Sequence, residues 1–198
     1  MSAMKKDEVT EELIKSTAMR LFFVEGKFNA TTQEIADAAG VNRTLINYYF
    51  RSRDNLFNQI FEDAQATELQ KSESIMFSEL PFKEKIAQFI DYNMEMAVEY
   101  PYLEIYLVTQ INQGCAYGNQ DHIEKMMPEF FRQIEAEIQK GNIQKMAPIQ
   151  FVMNMISLIS FPLCMRPLIQ ESMKIDDKEY VDILKDRKKI ILQSLFIN

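Results

Sequence analysis

The 198-residue chain has no tryptophan, a single histidine, two cysteines, five glycines and six prolines. Each scarcity excludes something. Cys115 and Cys164 lie far apart and outside any C-x-x-C spacing, so neither a disulfide framework nor a zinc site is expected; both read as small buried hydrophobes in a reducing setting. So little glycine and proline leaves no room for a long flexible linker, and no alternating β-branched run is long enough to begin a sheet. Leu, Ile, Met, Phe, Lys, Glu and Gln dominate, which favours helix. The fold class expected is all-α. A phosphate-binding glycine loop, a nucleophile elbow and a paired metal motif are also missing, so no acid, base or metal set converges and an enzyme is not expected.

The net charge of −7 argues against a protein that coats nucleic acid indiscriminately. Residues 1–57 hold 8 basic and 8 acidic side chains, which leaves 14 and 21 for the remainder and confines the acidic excess there. A neutral head with a local basic helix can dock on DNA in one orientation while an acidic body is repelled; equally, the body's charges can simply follow solvated helix faces. The N-terminal MSAMKKDEVTEELIK places acids where a signal peptide needs an apolar core. The long apolar stretch at 149–169 is interrupted by Gln150, Asn154, Ser157, Ser160, Pro162, Arg166 and Pro167, which a bilayer would penalise. A cytoplasmic protein without a membrane partner is expected.

What the chain does have is concentrated in residues 31–56, TTQEIADAAGVNRTLINYYFRSRDNL. Thr31 and Glu34 have the S/T-x-x-E spacing of a capping box, and Ile35, Ala36 and Ala39 make a buried face. Gly40 sits where a left-handed residue would stop that helix, and Asn42 can cap the next. This is the pattern of a helix-turn-helix. The second helix carries Arg43, Thr44, Asn47, Tyr48 and Tyr49, while Val41, Ile46 and Phe50 are spaced to anchor it. Arg forks onto guanine, Asn onto adenine, and Thr or Tyr can reach a thymine methyl or a phosphate. Arg51 and Arg53 follow, and no acid occurs between Asp37 and Asp54, which gives the locally positive end that a polyanion requires.

Around this motif a first helix is expected from Asp7 to Glu25, with Leu13, Ile14, Thr17, Ala18, Leu21 and Phe22 in one stripe and Gly26 as its stop. A longer helix capped by Ser52 carries Leu56, Phe57, Ile60, Phe61 and Ala64 out of the head. Pro81, Pro101, Pro128 and Pro148 each precede an apolar-rich segment, as suits a helix's first turn, and helices are expected over 82–100, 102–113, 129–140 and 149–168, with a loop at 114–119 and a last helix over 177–196. Gly141 would stop the third of these. Asp176 and Asp177 favour the dipole of the last. His122, beside Asp121 and Glu124, has no second soft ligand near in sequence and reads as a solvated loop residue; no metal or cofactor is expected.

In LFFVEG (21–26), TTQEIADAAGVNRT (31–44), YYF (48–50) and RSRDNL (51–56), the first 60 or so residues closely resemble the N-terminal domain of the TetR family of bacterial transcriptional regulators. Beyond them the likeness is one of architecture. The resemblance implies a three-helix DNA-binding domain at 1–56, an all-helical effector-binding and dimerisation domain at 57–198, a homodimer, and a small-molecule effector. By position, Arg43, Thr44, Leu45, Asn47 and Tyr48 look like the base-reading face, and Thr32, Tyr49 and Arg53 like the phosphate clamps. Arg53 stands where the family usually has lysine, and Asn47 where it commonly has tyrosine. The implied function is a ligand-responsive regulator, a repressor by the family's commoner habit, bound as a dimer to a near-palindromic double-stranded operator. The alternative is a helical small-molecule or lipid carrier, which has no need of Arg43, Asn47 and Arg53 close together.

Two further sets carry expectations. Phe89, Tyr92, Met96, Tyr100, Tyr102, Tyr106 and Met126 suit a cavity for an apolar or aromatic effector, although such stripes at helical spacing also make plain core. Phe151, Met155, Leu158, Ile159 and Phe161, with Tyr180, Leu184, Ile191 and Leu195, are apolar enough to pair across a two-fold axis as a four-helix bundle; an intrachain core is the competing reading.

Overall fold

Three consecutive bulky residues, Leu21, Phe22 and Phe23, are all buried, which an α-helix turning 100° per residue cannot easily arrange on one face. In the computed structural model, which describes residues 3–115 and 120–197, helix α1 (Ala3–Met19) accordingly widens into a π turn over Arg20–Val24. The Glu25 amide closes it on the Arg20 carbonyl at 3.0 Å. The helix thus starts earlier than its apolar pattern predicted, and its last turn is not α. Ile14 and Ala18 are fully buried as expected, but Leu13 is 44% exposed.

The head continues with α2 (Thr32–Ala39) and α3 (Arg43–Phe50), and α4 (Arg53–Met76) leads out of it. Helix α1 packs on α2 and α4, α2 on α3, and α3 on α4, around Phe22, Ile35, Ile46, Phe50 and Leu56. The body comprises α5 (Phe82–Glu99), α6 (Leu103–Asn112), α7 (Gln120–Gln139), α8 (Pro148–Cys164), α9 (Arg166–Met173) and α10 (Asp177–Leu195), with no strand among the described residues. Its core centres on Ile86, Ile90, Ile134, Phe151 and Ile191. The Phe82, Phe151 and Phe196 rings meet one another at 5.9–6.1 Å. A capping box at Asp176 and Glu179 starts α10.

Two proline readings are corrected. Pro128 does not open a helix at 129; it lies inside α7. The helix runs through it because Met127, Phe130, Phe131 and Ile134 keep one continuous face against the body core, which outweighs the single backbone bond that proline deletes. The helix expected at 149–168 instead breaks at Met165, with a 64° bend into α9. Pro167 cannot supply the amide that an uninterrupted helix needs, but it fits a new first turn. Among the described residues no single helix is long and apolar enough to cross a membrane; the bent α8–α9 pair meets that test only jointly. The expected loop after Gly114 lies mostly outside the described residues, as does the His122 side chain.

Most of the expected dimer contacts are instead taken up within the chain. Phe151, Met155, Ile159, Tyr180, Leu184, Ile191 and Leu195 are all buried in its own core. The reason is that α8 packs on α5, α6, α7 and α10 together, which consumes its inward stripe. Leu158 is half-buried, and Phe161 alone of the nine is fully on the surface, 61% exposed.

Head and body are joined by the start of α6. The Tyr102 amide donates to the Phe23 carbonyl at 3.0 Å, and Tyr106 and Leu107 complete the head's core. The Tyr106 ring meets Phe57 edge-on at 4.6 Å and Phe28, Phe23 and Phe61 at 5.3–5.9 Å. Gly26, at φ +67°, lets the chain pass over Tyr102: a Cβ there would meet the ring at 3.1 Å. Gly26→Ala is expected to lower stability by about 1–2 kcal/mol, from the left-handed backbone alone. Urea denaturation would read this as a lower midpoint at unchanged slope.

Candidate nucleic-acid interface and body cavities

The turn between α2 and α3 is built as its residues require. The Thr31 hydroxyl accepts from the Glu34 amide at 3.2 Å, and the Glu34 carboxylate accepts from the Thr31 amide at 2.7 Å. These Thr31 donors hold the Glu34 carboxyl below its usual range. Gly40, at φ +66°, donates back to the end of α2, and the Val41 amide reaches the Ala36 carbonyl at 3.0 Å. Asn42 then caps α3, its Oδ1 accepting from the Thr44 amide at 2.9 Å and the Thr44 hydroxyl at 2.8 Å.

Helix α3 presents Arg43, Thr44, Asn47 and Tyr48 to solvent, with Tyr48 72% exposed. Ile46 and Phe50 hold the opposite face at 0 and 1% exposure. Leu45, expected among the base readers, is half-buried and packs against the head core. Thr32 is half-buried in the first turn of α2. Tyr49 donates its hydroxyl to Asp7 of α1 at 3.1 Å. Burial, aided by Asp7, raises that phenol above its ordinary value.

Arg53, expected on a phosphate, is engaged within the chain. Its Nε donates to the Ala30 carbonyl at 2.8 Å, one terminal nitrogen to the Phe28 carbonyl, and another to Asp54 at 3.3 Å. The guanidinium also lies 5.3 and 5.8 Å from the Phe57 and Phe22 ring centres. Its fork therefore clamps the 28–30 loop to the start of α4, a role that a lysine's point charge could not fill. Between α3 and α4, Arg51 sits at φ +64°, ψ −39°, and the Ser52 amide reaches back to the Phe50 carbonyl at 2.7 Å. That is a γ-turn of the strained hand, which reverses the chain in one residue. Nothing in the sequence signalled it, since an arginine is a poor occupant of such a turn.

The body contains two adjoining cavities, of about 400 and 340 Å³. Tyr92, Met96 and Tyr100 line the first, and Phe89 and Met126 the second. Burial raises the Tyr92 and Tyr100 phenols. Tyr102 and Tyr106, expected beside them, line neither; both belong to the head–body joint. Their place follows from α6 turning this face toward the head. The Tyr106 hydroxyl is buried without a hydrogen-bond partner, and burial, with Cys115 nearby, pushes its pKa far up. Residues that the sequence reading missed, Glu68, Asn93, Glu104 and Leu107, border both cavities. Their signal was weak, because isolated polar side chains on amphipathic helices usually face water.

Residues 14–60 match the model for bacterial regulatory proteins of the tetR family. The head is similar to the DNA-binding domain of that family. It is 40% identical over 53 residues to the HTH-type transcriptional regulator AcrR of Shigella flexneri, a match spanning 27% of this chain and 25% of that relative. The whole fold is shared with solved TetR-family structures at low identity. A regulator from Marinobacter aquaeolei VT8 has a TM-score of 0.61 at 12% identity, covering 99% of this chain and 100% of its own. FadR of Bacillus subtilis, solved in complex with stearoyl-CoA, has a TM-score of 0.59 at 17% identity over 93 and 98% of the two chains. The head thus continues here into an all-helical body with the architecture of those structures.

The two arginines should separate by stability. Arg53→Lys leaves the loop carbonyls short of donors and is expected to lose about 1–3 kcal/mol. Arg43→Ala, on an exposed face, should stay within about 0.5 kcal/mol of the parent. Thermal unfolding followed by circular dichroism would compare them, and equal losses would remove the clamp assignment.

Proposed function

We propose that this chain is a ligand-responsive transcriptional regulator, a repressor that binds a near-palindromic duplex as a cytoplasmic homodimer. The observation that carries the reading is the exposed, acid-free face of a doubly anchored α3, with Arg43, Thr44, Asn47 and Tyr48 side by side. In this reading residues 1–56 dock α3 in the major groove. Arg43 and Asn47 fork onto base edges, Thr44, Leu45 and Tyr48 complete the reading face, and Thr32 and Tyr49 meet phosphates. Arg53 supports that surface by fixing the loop beneath it. A carrier would account for the cavities but leaves the α3 face without a purpose.

Residues 57–198 hold the effector in the two cavities and form the dimer. The Arg187 side chain donates to the Leu158 carbonyl at 2.7 Å, and the Tyr180 hydroxyl to the Pro162 carbonyl, so α8 and α10 run antiparallel. In this reading Phe161 of α8 and Ile183 and Ile190 of α10, each 45–61% exposed, belong to the apolar surface to be covered by a second copy. Two heads set about 34–36 Å apart would then read successive grooves. Effector release of DNA needs a coupling of only ~1–3 kcal/mol. Helix α6 is placed to supply it, with Leu103, Glu104 and Leu107 on a cavity and Tyr106 in the head.

On duplex taken from the DNA upstream of its own coding sequence, Arg43→Ala should lose about 1–3 kcal/mol of binding, and less on random duplex. Fluorescence anisotropy would read both, and equal losses on the two duplexes would refute base reading. In sedimentation at micromolar concentration the parent should run as a dimer and Phe161→Glu as a monomer. A monomeric parent would refute the paired-groove arrangement.

A further inference from the structure

Arg51 occupies a backbone position that few side chains accept. At φ +64°, ψ −39° it makes the γ-turn between α3 and α4, a conformation that glycine adopts freely and a residue with a Cβ only at a cost. Among the described residues Lys174 is the other non-glycine with positive φ, and it lies in the ordinary left-handed well at φ 59°, ψ 39°. Nothing within the chain offsets the strain at Arg51. Its side chain is exposed and meets no partner among the described residues. Of the head's other described basic side chains, Lys15 is paired with Asp63, Arg20 and Lys27 share Glu25, and Arg53 is engaged by Asp54 and the 28–30 loop. Only Arg43 and Arg51 among them have no carboxylate partner.

Building on the regulator reading, we propose that Arg51, rather than Arg53, is the cation that meets the DNA backbone at the far end of α3, and that this charge is what an arginine contributes in a glycine-type turn. The eight residues of α3, at about 1.5 Å each, make a helix about 12 Å long, which matches the major groove's width of about 12 Å. With Arg43 and Asn47 on base edges, the last turn therefore approaches the groove wall. That end carries the helix's unpaired carbonyls, which repel an anion unless a cation stands beside them. Arg51 stands there: its amide donates to the Asn47 carbonyl at 3.0 Å, one turn beyond Asn47. A guanidinium without an internal partner can fork onto two phosphate oxygens, whereas Arg53 would first have to release the Phe28 and Ala30 carbonyls.

Salt dependence isolates the contact, because each phosphate neutralised adds about 0.9 to the slope of log affinity against log salt. Fluorescence anisotropy reads that slope for the full chain on duplex from upstream of its own coding sequence and on random duplex. Arg51→Gly should reduce the slope by about two for a dimer with two heads, and weaken both duplexes alike by about tenfold at physiological salt. Arg51→Lys should keep the parent slope, and so should Arg20→Gln, which removes a charge elsewhere on the head. In urea Arg51→Gly should unfold at a midpoint no lower than the parent's, since glycine relaxes the turn. A lowered midpoint with an unchanged slope would make Arg51 a partner of the α3 dipole, and weaker binding with an unchanged slope would make it a stiffener of the joint; either overturns the proposal. An equal fall in slope for Arg20→Gln would assign the effect to overall charge and overturn it as well. An unchanged slope in a chain that binds duplex leaves the regulator reading standing, whereas a parent that binds neither duplex overturns both.

Discussion

The insertion of α6 into the head is the contact on which the rest depends. A three-helix head of about fifty residues buries little surface by itself, and its core is completed by residues that lie half a chain away. Tyr106 is ringed by Phe23, Phe28, Phe57 and Phe61, and the Tyr102 amide is spent on the Phe23 carbonyl. The head's stability is consequently tied to the position of α6. The next residues of that helix, Glu104 and Leu107, border both cavities. Less than one turn separates what a ligand would touch from what holds α3 in place.

Helix α4 supplies the second tie. Its first turn is fixed by Arg53 on the 28–30 loop, its middle packs Ile60 and Phe61 into the head, and its later turns line the cavities through Thr67 and Glu68. The strained turn at Arg51 makes the passage from α3 to α4 short and stiff. A displacement of α4 or α6 therefore has few soft joints in which to dissipate. Such an arrangement suits a switch between discrete packings better than gradual bending.

The helix-turn-helix was legible because local rules settle it. Thr31 with Glu34, Gly40 and Asn42 specify caps and a turn within a dozen residues, and each is found as its chemistry demands. What was not legible depends on which face a neighbour happens to cover. Tyr102 and Tyr106 have the composition of pocket residues but the orientation of joint residues. Tyr180, Leu184 and Ile191 have the apolar character of an interface, yet α5 and α8 take them first. Pro128 and Pro167 illustrate the same limit: one is carried through a helix by its packing, and the other breaks one. Arg53 shows it most sharply, because the same charge serves a phosphate or a loop carbonyl, and only the distance from Phe28 and Ala30 decides.

The central claim is that the helix-turn-helix head and α6 form one cooperative unit. Native-state hydrogen exchange on the unliganded chain, followed with increasing urea, tests this most directly. The account predicts that the amides of α2, α3 and α6 merge into one opening event with a common free energy. Tyr106→Ala should lower that free energy for all three helices together. Exchange of α2 and α3 through their own lower-energy opening, while α6 stays protected and Tyr106→Ala leaves them unmoved, would contradict it.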